Sequence, residues 1–109
     1  MMNFTELAEN AGLEEGEFRE LMKVFIERSL LDLKRLQNSL DKGNLQGIVE
    51  AAHSIKGAAG NLYFEEVYQI AKDIEMKARE NILNGISHSV SLLYEKIEKI
   101  LRNSGNSDE

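Results

Sequence analysis

No proline interrupts this chain anywhere in its 109 residues. A domain of that length ordinarily carries about five, and each would end or kink a helix. The apolar residues use that freedom. Ile48, Ala52, Ile55, Ala59 and Leu62 recur at steps of four, three, four and three, which is one face of an α-helix. Val67, Ala71, Ile74 and Ala78 repeat the pattern, as do Ile86, Val90, Leu93, Ile97 and Ile100. Upstream, Phe18, Leu21, Met22, Phe25, Leu33, Leu36 and Leu40 keep one helical side over a longer stretch. Strand-type alternation is absent, so the chain reads as all-α.

Turn chemistry divides the pattern into four long helices, over about 14–42, 45–61, 65–83 and 86–102. Gly43 suits the left-handed residue that closes a helix, and Asn44 suits the N-cap of the next. Leu62-Tyr63-Phe64 forms the second link and Asn84-Gly85 closes the third. A short helix precedes them, with Phe4, Leu7, Ala8 and Ala11 on one side and an end near Gly12. It is too short to stand alone and must pack on its neighbours. Long amphipathic helices joined by short turns predict an antiparallel up-down four-helix bundle with a short additional N-terminal helix. That domain spans 1–103, and the polar run 104–109 is expected to be a disordered tail.

Charge and composition remove several function classes. The net charge is −6, whereas nucleic-acid binding calls for a basic face. No apolar run approaches the roughly 20 residues of a membrane span. Met1-Met2-Asn3-Phe4 lacks the basic and apolar regions of a signal peptide. With no cysteine, thiolate metal sites and thiol nucleophiles are impossible. The expectation is a cytoplasmic monomer with no nucleic-acid or membrane partner.

The chemistry concentrates in Ala52-His53-Ser54-Ile55-Lys56-Gly57-Ala58-Ala59-Gly60. His53, Lys56, Gly57 and Gly60 fall at i, i+3, i+4 and i+7, a single helical stripe. Helical projection puts His53 roughly 120° from the centre of the buried face, on a flank where one ring nitrogen can be held and the other left open. A cation beside the imidazole suits an anionic group on it, such as a phosphoryl group. Each glycine costs about 1 kcal/mol inside a helix, so two of them one turn apart call for close approach of another molecule.

On the next helix, Tyr68, Lys72, Glu75 and Arg79 share a polar flank. Glu75 has two possible partners. It can accept the Nδ1 proton of His53, which would leave Nε2 as the nucleophile, or it can pair within its helix with Lys72 or Arg79. The other histidine, His88, lies about 160° from its helix's apolar stripe and reads as a solvated surface residue. Two histidines without recurring ligand spacing do not make a metal site. No Gly-rich phosphate loop follows a strand, so any phosphoryl group must come from another protein.

The segment 52–62 resembles the motif of histidine-containing phosphotransfer (HPt) domains of two-component phosphorelays. Phe25-Ile26-Glu27, Asp41-Lys42-Gly43-Asn44 and Ile74-Glu75 also match such domains, and the likeness covers about residues 15–100. The resemblance implies that His53 accepts a phosphoryl group from a receiver aspartyl phosphate and relays it to another receiver. It implies that Lys56 neutralises phosphate charge, and that Gly57 and Gly60 leave room for receiver loops. Glu75 falls where the chemotaxis-kinase branch keeps a carboxylate that orients the histidine. The chain would need no cofactor of its own, with Mg2+ on the partner receiver. One departure is Tyr63, at a position where the family often has glycine. Three roles stay open: a free phosphocarrier, the phosphorylated domain of a larger hybrid or chemotaxis-type kinase, and a helical docking module that is never phosphorylated.

Overall fold

A computed structural model describes residues 4–106, with side chains described for 5–103. Five helices follow in order: α1 Phe4–Asn10, α2 Glu15–Lys42, α3 Leu45–Asn61, α4 Glu65–Arg79 and α5 Ile86–Asn106. No strand occurs among the described residues. Each long helix packs on the next, and α2 also packs on α5, which closes a four-helix bundle. Because the links are short, successive helices run in opposite directions. The short α1 lies on α2, with Ala8 buried against it.

The α2–α3 turn follows from its two residues. Gly43 takes the left-handed conformation at φ 67°, and Asn44 Oδ1 accepts the Gly47 N–H at 3.1 Å. The α3–α4 turn reaches the same geometry without glycine. Tyr63 itself sits at φ 60°, while the Phe64 N–H donates to the Ala59 carbonyl at 3.0 Å. The family departure at Tyr63 therefore leaves the helix end intact.

Two boundaries differ from the sequence expectation. Helix α4 ends at Arg79, not near Leu83. Asn81 adopts φ 61°, and the Ile82 N–H donates to the Lys77 carbonyl at 2.8 Å. An asparagine thus closes this helix ahead of the Asn84-Gly85 pair. Helix α5 continues to Asn106, beyond the expected end at Arg102, because no proline or left-handed residue stops it. Residues 104–106 of the expected tail therefore prolong α5, and 107–109 lie outside the described residues, as do residues 1–3 at the other terminus.

The stripes of α3, α4 and α5 are buried at every position read from their periodicity. On α2 the buried line is Phe18, Met22, Phe25, Ser29, Asp32, Leu33 and Leu36, with Ile26 beside it. Leu21 lies outside that line and is exposed. Phe64 packs against Phe25 and Phe18, at centroid distances of 5.0 and 6.4 Å. The Tyr94 hydroxyl donates to the Leu33 carbonyl at 3.3 Å and ties α5 to α2. No described helix is long and apolar enough to cross a membrane.

Candidate functional site

His53 and Glu75 meet across the α3–α4 seam. Nδ1 of His53 lies 3.2 Å from Oε2 of Glu75. The imidazole is 64% exposed, whereas the Glu75 side chain is only 6% exposed. The arrangement follows from register. Ile74 and Ala78 bury themselves in the core, which leaves Glu75 at the edge of that stripe facing α3.

The competition between partners for Glu75 resolves in favour of sharing. Oε2 accepts from His53 and from both Nε and Nη2 of Arg79, at 3.2 and 2.7 Å. Oε1 is paired with the Lys56 ammonium at 2.8 Å, off the angle of a regular hydrogen bond. Lys72 stays exposed. Burial pushes the Glu75 carboxyl upward, but the hydrogen bonds and charges of Lys56 and Arg79, and the contact with His53, outweigh it. They hold the group down at about 2. Glu75 is thus ionised at neutral pH and offers only acceptors. Its partner Nδ1 must carry the ring proton, which assigns the free lone pair to Nε2.

The two glycines of the motif have different surroundings. A Cβ at Gly57 would meet nothing within 4 Å. A Cβ at Gly60 would touch the Tyr68 ring at 3.4 and 3.5 Å. Gly57 is therefore bare to solvent one turn from His53, and Gly60, also exposed, lies beside the Tyr68 ring of α4. On the other side of α3, a groove of about 320 Å³ follows the α2–α3 seam. Leu21, Val24 and Arg28 line it from α2, and Ser54, Ala58 and Asn61 from α3. His88 is exposed on α5, away from this cluster.

One residue near the site escaped the sequence reading. Asp32 is buried on α2, and its Oδ2 accepts a 2.6 Å hydrogen bond from Ser54 Oγ. A signal for it existed. Residues 25, 29, 32 and 36 step by four, three and four, so a carboxylate stands in core register with Phe25, Ser29 and Leu36. The described residues include no cluster of three or more histidines, cysteines or acids suited to a metal ion.

Comparison with known proteins bears on the fold and the family. The chain superposes on the crystal structure of histidine-containing phosphotransfer protein B (HptB) from Pseudomonas aeruginosa PAO1 with a TM-score of 0.84 and 23% sequence identity, covering 93% of this chain and 88% of that one. No curated protein matches. The model of the Hpt domain matches residues 20–104. That match takes in all of α3, α4 and the site between them, and on it the chain belongs to the Hpt domain family.

Proposed function

We propose that this protein is a phosphocarrier in which Nε2 of His53 takes a phosphoryl group from a receiver aspartyl phosphate and passes it to the aspartate of another receiver. The observation that carries this reading is the His53–Glu75 pair, with its open ring nitrogen beside an unobstructed Gly57. Nε2 attacks phosphorus, the P–O bond to the receiver aspartate breaks, and that carboxylate leaves. Nδ1 keeps its proton throughout and donates a hydrogen bond to Glu75, whose charge offsets the positive charge that develops on the ring. Lys56 stands one turn away to oppose charge on the transferring group. The divalent cation of the reaction belongs to the receiver.

The reverse step returns the phosphoryl group to a carboxylate, so the same geometry serves donor and acceptor. Gly57 lets receiver loops pass at backbone height, and the α2–α3 groove offers apolar surface beside it. The test is labelling. Phosphoramidate and a phosphorylated receiver should each give an acid-labile phosphohistidine. His53→Gln should abolish the label and keep the fold, and His88→Gln should change nothing. Loss of label in His88→Gln, with retention in His53→Gln, overturns the assignment.

A further inference from the structure

The α2–α3 interface contains a charged group that packing does not require. Asp32 is 1% exposed and sits between helices that otherwise meet through residues such as Leu33, Leu36, Ile48 and Ile55. A buried carboxylate is costly unless well bonded, and an apolar pair in its place would often be neutral or stabilising. Its short bond is the 2.6 Å one from Ser54 Oγ. The exposed side chains of Arg28 and Arg35 flank it at longer range, 3.6 and 3.5 Å.

Ser54 is the residue after His53. Consecutive helical residues point about 100° apart, and these two reach opposite neighbours. His53 bonds to Glu75 of α4, and Ser54 bonds to Asp32 of α2. At this level the buried side chains of α3 are Ala51, Ala52 and Ile55, of which the two alanines are too small to interlock, so that Ile55 alone resists sliding by its shape. We infer that Asp32 and Ser54 form a positioning pair, which sets the rotation of α3 so that Nδ1 of His53 stays on Glu75. The inference rests on the phosphocarrier reading only for its consequence in labelling. The imidazole lies roughly 6 Å from the helix axis, so a rotation of about 10° displaces it by about 1 Å. Displacements of that size matter for a bond that selects the tautomer.

The experiment compares three proteins: wild type, the apolar double variant Asp32→Leu/Ser54→Ala, and Ser54→Thr, which keeps the hydroxyl. Imidazole 15N shifts of His53 report which ring nitrogen carries the proton. Phosphoramidate labelling reports the reactivity of Nε2. In the folded double variant the shifts should move toward a mixture of tautomers and labelling should slow about fivefold, the loss that follows when most rings revert to the other tautomer. Ser54→Thr should behave like wild type. A folded double variant with wild-type shifts overturns the inference and leaves the pair a packing feature. If the double variant does not fold, Ser54→Ala alone, measured below its melting temperature, decides the same question. If wild type accepts no label at His53 the phosphocarrier reading falls, and the 15N shifts still decide the positioning role.

Discussion

Glu75 concentrates the electrostatics of the site in one side chain. Its carboxyl titrates at about 2 in the folded protein, against an ordinary value of 4.5. A depressed carboxyl stabilises the fold above the unfolded value and loses that contribution as pH falls through the folded one. The contribution is on the order of 3 kcal/mol at neutral pH. Thermal melts of wild type and Glu75→Gln should therefore differ clearly at pH 7 and converge as pH drops from 4.5 toward about 2. A gap that stays constant across that window refutes the ion-pair account. Gly57 gives a second test at this scale. With nothing within 4 Å of a Cβ there, Gly57→Ala should raise stability by up to about 1 kcal/mol. Gly57→Leu should fold and accept phosphate from phosphoramidate, yet block transfer from a receiver that labels the wild type. An unfolded Gly57→Leu would show that the glycine serves packing.

Among the elements, the α3–α4 turn departs most from an easy conformation. Tyr63 holds φ 60° with its side chain 58% exposed. The left-handed region costs a side-chain-bearing residue roughly 1–2 kcal/mol, partly offset by the extra chain entropy that glycine would lose. Tyr63→Gly should thus stabilise by about 0.5–1 kcal/mol and raise the melting temperature by a few degrees. A fall would mean that the ring contributes contacts in the groove it shares with Lys96 and Ile100. The helices themselves were legible because their apolar period is regular, as the full burial of the α3, α4 and α5 stripes confirms. Their ends were less so. The link at Leu62-Tyr63-Phe64 falls where the sequence placed it, but the end of α4 does not, because Asn81 takes a left-handed conformation that only some asparagines adopt. In the site, His53 and Glu75 were legible from two helical projections. Sharing of Glu75 between Arg79, Lys56 and His53 was not, since intrahelical and interhelical partners satisfy the same spacing rules. Asp32 lay hidden because a polar residue in core register is discounted when an apolar stripe is traced.

At the scale of the whole molecule, the phosphocarrier reading calls for one face on which a receiver can dock. Around His53, α2 and α3 expose apolar surface that the core does not use. Val24 and Leu31 are each 61% exposed and stand seven residues apart, on one line of α2. Leu21 joins Val24 at the groove along α3. Isolated exposed apolar residues need no explanation, but a line of them that runs into a groove bordered by Ser54, next to His53, fits a docking strip. Such a strip would hold a receiver while Gly57 lets its loops reach Nε2. A charge placed on it should then weaken docking without touching the chemistry. Val24→Asp and Leu31→Asp should leave the melting temperature within a few degrees of wild type, because neither side chain is buried. Labelling by phosphoramidate should be unchanged. Transfer from a phosphorylated receiver should fall at subsaturating receiver and recover as its concentration rises, since a lost apolar contact of about 1–2 kcal/mol raises Kd by roughly five- to thirtyfold. Receiver-induced amide shifts should map to Val24, Ser54, Gly57 and Ala58, leaving His88 and the outer side of α5 unmoved. Shifts centred on α5, or transfer that stays slow at saturation, would place the docking face elsewhere and make the apolar line on α2 incidental.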